Sequence, residues 1–220
     1  MRQSFPTYLI ETDLRQAGFL RIAGVDEVGR GPIAGPVVAA AVILDPLDIP
    51  DGLDDSKKLT RAKREDLFPL IMSRARVSVA SLPSASIDRL NIRAATLLAM
   101  TRAVAGLSVP ADHVLIDGRD IPSGIGAPAT ALVGGDGRSL SIAAASIVAK
   151  VIRDRMMAFA DQHYPGYDFA RHKGYGSALH RAAVAALAPS ALHRQSFEPI
   201  KSMTGFEKPK SPGTTGAFEC

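Results

Sequence analysis

The chain has 220 residues, of which 46% are hydrophobic and 22% are charged. This balance is typical of one globular domain with a buried core, and it excludes a disordered, collagen-like or coiled-coil protein. The net charge is +4, and the basic excess lies in residues 150–220, which suits contact with a polyanion such as nucleic acid; a merely solvated basic face is the alternative.

The single cysteine, Cys220, excludes a disulfide framework and a zinc site built from thiolates. The longest apolar run, residues 33–44, is shorter than the roughly 20 residues needed to cross a bilayer. Residues 1–10 lack the basic segment followed by an apolar segment that is typical of a secretory leader. We therefore expect a cytoplasmic protein with no membrane partner.

Apolar runs predict the elements of the first half of the chain. Strands are expected at residues 20–26 and 37–44, a helix at residues 67–76 and a third strand at residues 77–82. An apolar stripe of helical period then predicts one long helix, with Ser86 as its N-cap and Gly106 at its C-terminal end.

In the second half, short apolar runs predict strands at residues 114–116 and 129–133. A long helix should begin near Ser139 or Ser141 and end at about His163. Small residues in its first half would allow close packing on the sheet. A further helix is expected at residues 178–187.

This order of elements predicts an α/β fold, with a mixed sheet flanked by helices and a helical C-terminal extension from about residue 165. We expect residues 1–202 to form a single domain. Residues 203–220 are rich in Gly, Pro, Lys and Thr and are expected to form a flexible tail.

Three carboxylates are candidates for a common site. Asp26 and Glu27 are adjacent, so they can share a site only where their strand ends or bends, which the glycines of residues 29–31 permit. Asp117 ends a buried strand, where α/β folds tend to place ligand-binding groups. The alternatives are a surface turn with a Glu27–Arg30 ion pair and an aspartate that only bonds turn amides.

Clustered carboxylates repel one another unless they are protonated or bridged by cations. With no thiolate site and no His-x-x-x-His spacing, the ligands would all be oxygen, which favours Mg²⁺ or Mn²⁺ over zinc. Asp136 lies in a glycine turn before a helix, and the residues alone leave its role open. Asp154 is expected to pair with Lys150 on the helix surface.

Two basic segments could contact nucleic acid. In residues 171–176, Tyr175 could stack on a sugar or base while Lys173 holds a phosphate, with a buried tyrosine as the alternative. In residues 54–60, Ser56, Lys57 and Lys58 could grip phosphates, with a solvated charged loop as the alternative.

Taken together and in order, these segments resemble those of the bacterial type 2 ribonucleases H, the ribonuclease HII family. The resemblance covers about residues 20 to 200. The matching motifs are Gly-Val-Asp-Glu-Val-Gly-Arg-Gly at 24–31, Asp-Ser-Lys-Lys-Leu at 55–59, Leu-Ile-Asp-Gly at 115–118, Gly-Asp at 135–136 ten residues before Ser146, His-Lys-Gly-Tyr at 172–175 and His-Arg-x-Ser-Phe at 193–197.

The resemblance implies a ribonuclease H-like sheet and a catalytic metal site of four carboxylates, Asp26, Glu27, Asp117 and Asp136. It further implies that backbone groups of Gly29, Arg30 and Gly31 read the 2′-hydroxyl of a ribonucleotide, with Tyr175 stacked nearby. The remaining expected substrate contacts are Ser56, Lys57 and Lys173.

The implied activity is that of an endoribonuclease that hydrolyses the RNA strand of RNA–DNA hybrids. It would also cut 5′ to single ribonucleotides embedded in duplex DNA, leaving a 5′-phosphate and a 3′-hydroxyl, as in ribonucleotide excision during DNA replication and repair. Two Mn²⁺ or Mg²⁺ ions about 4 Å apart would take part in the substrate complex. We expect a monomer, and a replication or repair partner for the tail is left open.

Three other functions compete with this one. A nuclease of related fold could cut DNA structures without regard to the sugar, and a catalytically silent protein could bind duplexes with carboxylates that are only structural. A glycoside hydrolase using Asp26 and Glu27 is disfavoured, because neighbouring residues rarely flank a scissile bond at the separation of about 5 Å or more that it needs.

Overall fold

The computed structural model describes residues 5–208, so Cys220 and most of the predicted tail lie outside it. Five strands form one mixed sheet in the order β3-β2-β1-β4-β5. β1 runs antiparallel to β2 and parallel to β4. The strands are β1 Ile22–Val28, β2 Val37–Leu44, β3 Ala75–Leu82, β4 His113–Asp117 and β5 Ala129–Leu132. The predicted mixed sheet is confirmed.

Helices cover both faces of the sheet and form the C-terminal end of the chain. They are α1 Leu9–Gln16, α2 Arg61–Arg74, α3 Ser84–Leu90, α4 Ile92–Ala105, α5 Leu140–His163, α6 Phe169–His172, α7 Ala178–Leu187 and α8 Ile200–Thr204, with a short 3₁₀ turn at Gly135–Gly137. Among residues 5–208, none of the helices has the length and apolar character to cross a bilayer.

The central strands are continuously apolar because both faces of the sheet are covered. Every residue of β2 is buried. Alternate side chains of β2 pack against α4 on one face and against α2 and α5 on the other. The predicted small residues of α5 include Ala143, Ala144 and Ala145, which are fully buried and let the first turns of this helix lie directly on β1.

The structure corrects the prediction of a single helix between Ser86 and Gly106. Two helices, α3 and α4, meet at Asn91, whose φ of 82° lies in the left-handed region. The Asn91 side chain accepts a hydrogen bond from the Ala94 backbone N at 3.0 Å, which caps α4. The apolar stripe continues through the break, so periodicity alone did not reveal it.

Helix α1 was not predicted from the sequence. It is anchored by Glu11, a fully buried side chain whose Oε1 accepts hydrogen bonds from Ser139 Oγ at 2.6 Å and from Ser141 N at 2.9 Å. A carboxylate at this position compensates unpaired amides at the N-terminus of α5. Residues outside the recognisable motifs therefore support the start of the long helix.

The predicted helical C-terminal extension is confirmed. Helices α6, α7 and α8 surround a small core of Phe169, Val184 and Ile200, which packs on Ala34 and on Met157 of α5. Helix α8 overlaps the start of the predicted tail. The flexible character of the tail and the assignment of residues 1–202 to a single domain stay predictions.

Candidate active site

Three of the predicted carboxylates meet at one edge of the sheet. The parallel ladder of β1 and β4 ends with Val25 opposite Ile116, so Asp26 and Asp117 follow side by side where the pairing of these two strands stops. One carboxylate oxygen from each of Asp26, Glu27 and Asp117 lies within 4.8 Å of the others. β1 extends to Val28, two residues further than predicted, so both acidic residues lie within the strand.

Asp136 adjoins this cluster without belonging to the group of oxygens within 4.8 Å. It lies on the 3₁₀ turn between β5 and α5 and is buried. The turn is tied to the cluster, because Gly135 N donates to Asp117 Oδ1 at 2.7 Å. Lys57 Nζ lies 3.5 Å from Asp136 Oδ2 and brings a cation from a distant loop to the edge of the site.

Burial and mutual repulsion dominate the electrostatics of the cluster. Burial raises the pKa of Asp26 well above its usual value, and the charges of Glu27 and Asp117 raise it further. Burial also raises the pKa of Glu27, although Arg30 opposes the shift from 3.3 Å away. Desolvation and the charge of Asp117 likewise raise the pKa of Asp136. The site thus holds more negative charge than the protein neutralises.

This arrangement fits a hard divalent cation. In the described part of the chain, Asp26 has no ion-pair partner; its Oδ1 accepts only the Glu27 backbone N at 2.8 Å. The donors are carboxylate oxygens, which suit Mg²⁺ or Mn²⁺, and a bound cation would remove the repulsion that raises these pKa values. The observation supports the predicted oxygen-only metal site.

The glycine-rich loop after β1 presents exposed backbone beside an exposed aromatic ring. Gly29 is buried, with a φ of 91°, whereas Arg30 and Gly31 are exposed. A Cβ placed on Gly31 would lie only 3.9 Å from Cε1 of Tyr175, whose side chain is 46% exposed. Tyr175 is therefore not the buried core tyrosine of the alternative interpretation.

The remaining predicted substrate contacts lie around the carboxylates in different environments. Lys57 is exposed and Lys173 is partly buried. Ser56 is buried, and its backbone N donates to Ser146 Oγ of α5 at 3.3 Å. Burial alone would lower the pKa of Lys57, but the carboxylates of Asp136 and Asp55 outweigh it and raise this pKa. Lys57 therefore stays cationic beside the cluster.

A second group of charges, which sequence reasoning did not select, borders the site on the other side. A cavity of about 110 Å³ opens next to Glu27 and Asp117. Arg93 and Asp120 form a two-pronged ion pair in its wall, with N–O distances of 2.7 and 3.0 Å. The only sequence signal was the polar segment Asp-Gly-Arg-Asp that begins at the last residue of β4, which is common in ordinary turns.

Asp154 forms the predicted pair with Lys150, whose Nζ lies 2.6 Å from Asp154 Oδ1, but both side chains are mostly buried rather than on the helix surface. We expect Asp154→Asn to lower the free energy of unfolding by about 0.5–1 kcal/mol and to leave the response to metal unchanged. Asp136→Asn should instead reduce the rise in melting temperature on adding Mn²⁺. Thermal unfolding of both variants with Mn²⁺ and with EDTA tests these two expectations. A lost metal response in Asp154→Asn but not in Asp136→Asn would make Asp154, rather than Asp136, the fourth metal-binding carboxylate.

The comparisons with known proteins agree with one another. A family model described as Ribonuclease HII matches residues 23–200. A ribonuclease HII of Agrobacterium fabrum is 57% identical over 196 residues, which cover 89% of this chain and 90% of the relative. A ribonuclease HII of Rhizobium leguminosarum bv. trifolii is 55% identical over 198 residues, which cover 90% of this chain and 86% of the relative.

The same relationship appears among solved structures. The crystal structure of the ribonuclease H2 from Pyrococcus horikoshii superposes with a TM-score of 0.72 at 25% identity, covering 84% of this chain and 97% of the archaeal chain. The sheet order and the helical C-terminal region are thus those of a solved ribonuclease H-like fold.

Proposed function

The chain belongs to the ribonuclease HII family, and from its metal-dependent endoribonuclease activity on RNA–DNA hybrids we propose a finer function: it cuts duplex DNA on the 5′ side of a single embedded ribonucleotide. The products would be a 5′-phosphate and a 3′-hydroxyl. Asp26, Glu27, Asp117 and Asp136 would hold the metal, and Gly29, Arg30, Gly31 and Tyr175 would recognise the ribonucleotide.

The observation that carries this proposal is the position of the glycine loop. The exposed residues Arg30 and Gly31 follow Glu27 within four residues, and the main chain of Gly31 lies beside the Tyr175 ring. In a DNA duplex, the 2′-hydroxyl is the only group that distinguishes an embedded ribonucleotide, and it both donates and accepts hydrogen bonds. Backbone groups this close to the carboxylates can form a hydrogen bond with that hydroxyl at the nucleotide where the nucleic acid strand is cut.

The side chains of the site have different roles in the proposed reaction. Mn²⁺ or Mg²⁺, which we propose binds as two ions in the substrate complex, supplies Lewis-acid assistance to an in-line phosphodiester hydrolysis. The clustered carboxylates would fix the position of that charge, and Gly135 N holds Asp117 Oδ1 in place. Lys57, Lys173 and the loop of Ser56 would orient the phosphate backbone, and Tyr175 would support the sugar by stacking.

The test is cleavage of an end-labelled DNA duplex with one ribonucleotide, in Mn²⁺ or Mg²⁺ and in EDTA, beside an all-DNA duplex and an RNA–DNA hybrid. We expect one metal-dependent cut 5′ to the ribonucleotide, an intact all-DNA duplex and many cuts in the hybrid. Cutting of both DNA duplexes would favour the nuclease that ignores the sugar. Binding without any cutting would favour the silent duplex-binding protein.

The partner proposals follow from the same site. The substrates would be RNA–DNA hybrids and ribonucleotide-containing duplex DNA, held in part by phosphate contacts whose affinity falls as salt rises. The cytoplasmic location, the monomeric state and a role in replication or repair stay predictions.

A further inference from the structure

Two buried arginines hold the proposed substrate-reading segments through backbone carbonyls. Arg153 of α5 and Arg194 of the C-terminal extension are both fully buried. Within residues 5–208, neither side chain forms an ion pair with a carboxylate, and every side-chain hydrogen bond that either makes goes to a carbonyl oxygen. Both buried guanidinium groups therefore bind main-chain carbonyl oxygens.

Arg194 binds the loop that follows β1 at both of its ends. Its Nη1 donates to Arg30 O at 2.8 Å, and its Nη2 donates to Gly29 O and, at 2.9 Å, to Gly35 O. Its Nε also donates to Gly35 O, at 3.1 Å. One planar guanidinium thereby fixes the start and the end of the segment that contains Gly31.

Arg153 binds the other side of the same region. Its Nε donates to Pro36 O at 2.9 Å and its Nη1 to Lys173 O at 2.9 Å. Next to Lys173, Gly174 O accepts hydrogen bonds from the backbone N of Ile33 at 2.9 Å and of Ala34 at 3.2 Å. The turn that carries Tyr175 is thus joined to the end of the glycine loop, and the two arginines act on one assembly.

Burying either arginine contributes little net free energy to the stability of the core. A buried guanidinium loses hydration, and no opposite charge is hydrogen-bonded to it in return. Burial and the charge of Arg153 lower the pKa of Arg194 to about 9, which reflects this cost. What arginine does offer is several donors in a rigid fork, which a lysine cannot reproduce. The gain is therefore a defined geometry of the carbonyls that it binds.

We propose that Arg194 is a positioning residue that sets the backbone of Gly29, Arg30 and Gly31 against Tyr175, so that the ribose is recognised at the distance from the carboxylates that cleavage requires. The inference deepens the proposed function and depends on it for the role of the loop. Arg194 itself contacts no reacting group; it acts through the carbonyls that it holds.

The test is Arg194→Lys, which keeps the charge but cannot reach three carbonyls with one ammonium group. We expect kcat on both the RNA–DNA hybrid and the single-ribonucleotide duplex to fall at least tenfold. KM, the inhibition constant of an all-DNA duplex and the Mn²⁺-induced rise in melting temperature should each stay within about twofold of wild type, because the phosphate contacts and the metal site are untouched.

Val184→Ala is the matched control, since Val184 is fully buried in the extension core and its side chain makes none of the hydrogen bonds that hold the loop. It should lower the melting temperature and leave kcat unchanged at a temperature where the protein is folded. Arg153→Lys provides a second measurement, with the same loss of kcat expected, if Arg194→Lys does not fold.

Two failures are distinguishable. If wild type cuts the hybrid but not the single-ribonucleotide duplex, the proposed function is wrong, and the hybrid rates still test Arg194. If wild type cuts both and the arginine variants keep kcat, or lose it only together with the Mn²⁺ response, the positioning role is refuted.

Discussion

Asp26→Asn is expected to lower kcat on every substrate by on the order of 10³-fold or more, which corresponds to about 4 kcal/mol of transition-state stabilisation. Asp26 is the most buried of the three clustered carboxylates, and one of its oxygens lies within 4.8 Å of oxygens of Glu27 and Asp117. An amide of the same shape removes the negative charge that would hold a divalent cation. Duplex binding should be largely kept, because it depends on phosphate contacts elsewhere.

The same substitution should increase the stability of the metal-free protein. The pKa of Asp26 is raised in the folded state, so its contribution to stability is complete at low pH and is lost as pH rises from the unfolded value through the raised pKa. At pH 8 in EDTA, folding of wild type must either bury this charge without a cation or protonate the carboxyl, a cost that Asp26→Asn lacks. We therefore expect a higher melting temperature for the variant in EDTA and a smaller rise on adding Mn²⁺.

Activity assays and thermal unfolding with Mn²⁺ and with EDTA separate these effects. Asp154→Asn is a suitable control, since Asp154 pairs with Lys150 on α5 and does not belong to the carboxylate cluster. An Asp26→Asn variant that retains near-wild-type kcat would remove Asp26 from the metal site. A lower melting temperature in EDTA at pH 8 would instead show that its carboxylate has a structural role.

Gly24→Ala is expected to have the largest effect on stability, at about 3 kcal/mol or more, or a fall in melting temperature of roughly 6–12 °C. Gly24 lies in β1 beneath the first turn of α5. A Cβ placed there would come closer than 3.0 Å to the backbone of Ser141 and Ile142, and no side-chain rotation can relieve a clash with main chain. The helix would have to move away from the sheet.

The displacement should also reach the site. The 3₁₀ turn that carries Asp136 leads directly into α5, so lifting the helix moves Asp136 away from Asp117. We expect a weaker Mn²⁺ response at temperatures where the variant is still folded. Gly176→Ala is the control, because its Cβ would make only ordinary contact with Ile33 at 3.5 Å and should change stability by less than about 1 kcal/mol. Equal stability losses in the two variants would contradict the packing argument.

Much of the fold could be predicted because its signals are local. Strand β4 is a short apolar run that stops at Asp117, and the small residues of α5 indicate close packing on the sheet. The break at Asn91 was missed because it does not interrupt the apolar stripe and depends on a hydrogen bond that only the folded backbone allows. The helix at Leu9–Gln16 was missed although Ile10 and Leu14 form an apolar face that packs on the core.

By itself, the sequence determined the α/β order of elements, the cluster of Asp26, Glu27 and Asp117, and the oxygen-only character of the candidate metal site. These follow from the apolar periodicity and from the chemistry of neighbouring residues. The motif resemblance added Asp136 and the reaction. The partners of Lys57, Glu11 and Arg194 were decided only by the tertiary structure, since they lie far apart in the chain: Lys57 meets Asp136 79 positions away, and Arg194 binds Gly29 across 165. A backbone carbonyl has no signature in the sequence, so a side chain that binds one can be recognised only after the chain has folded.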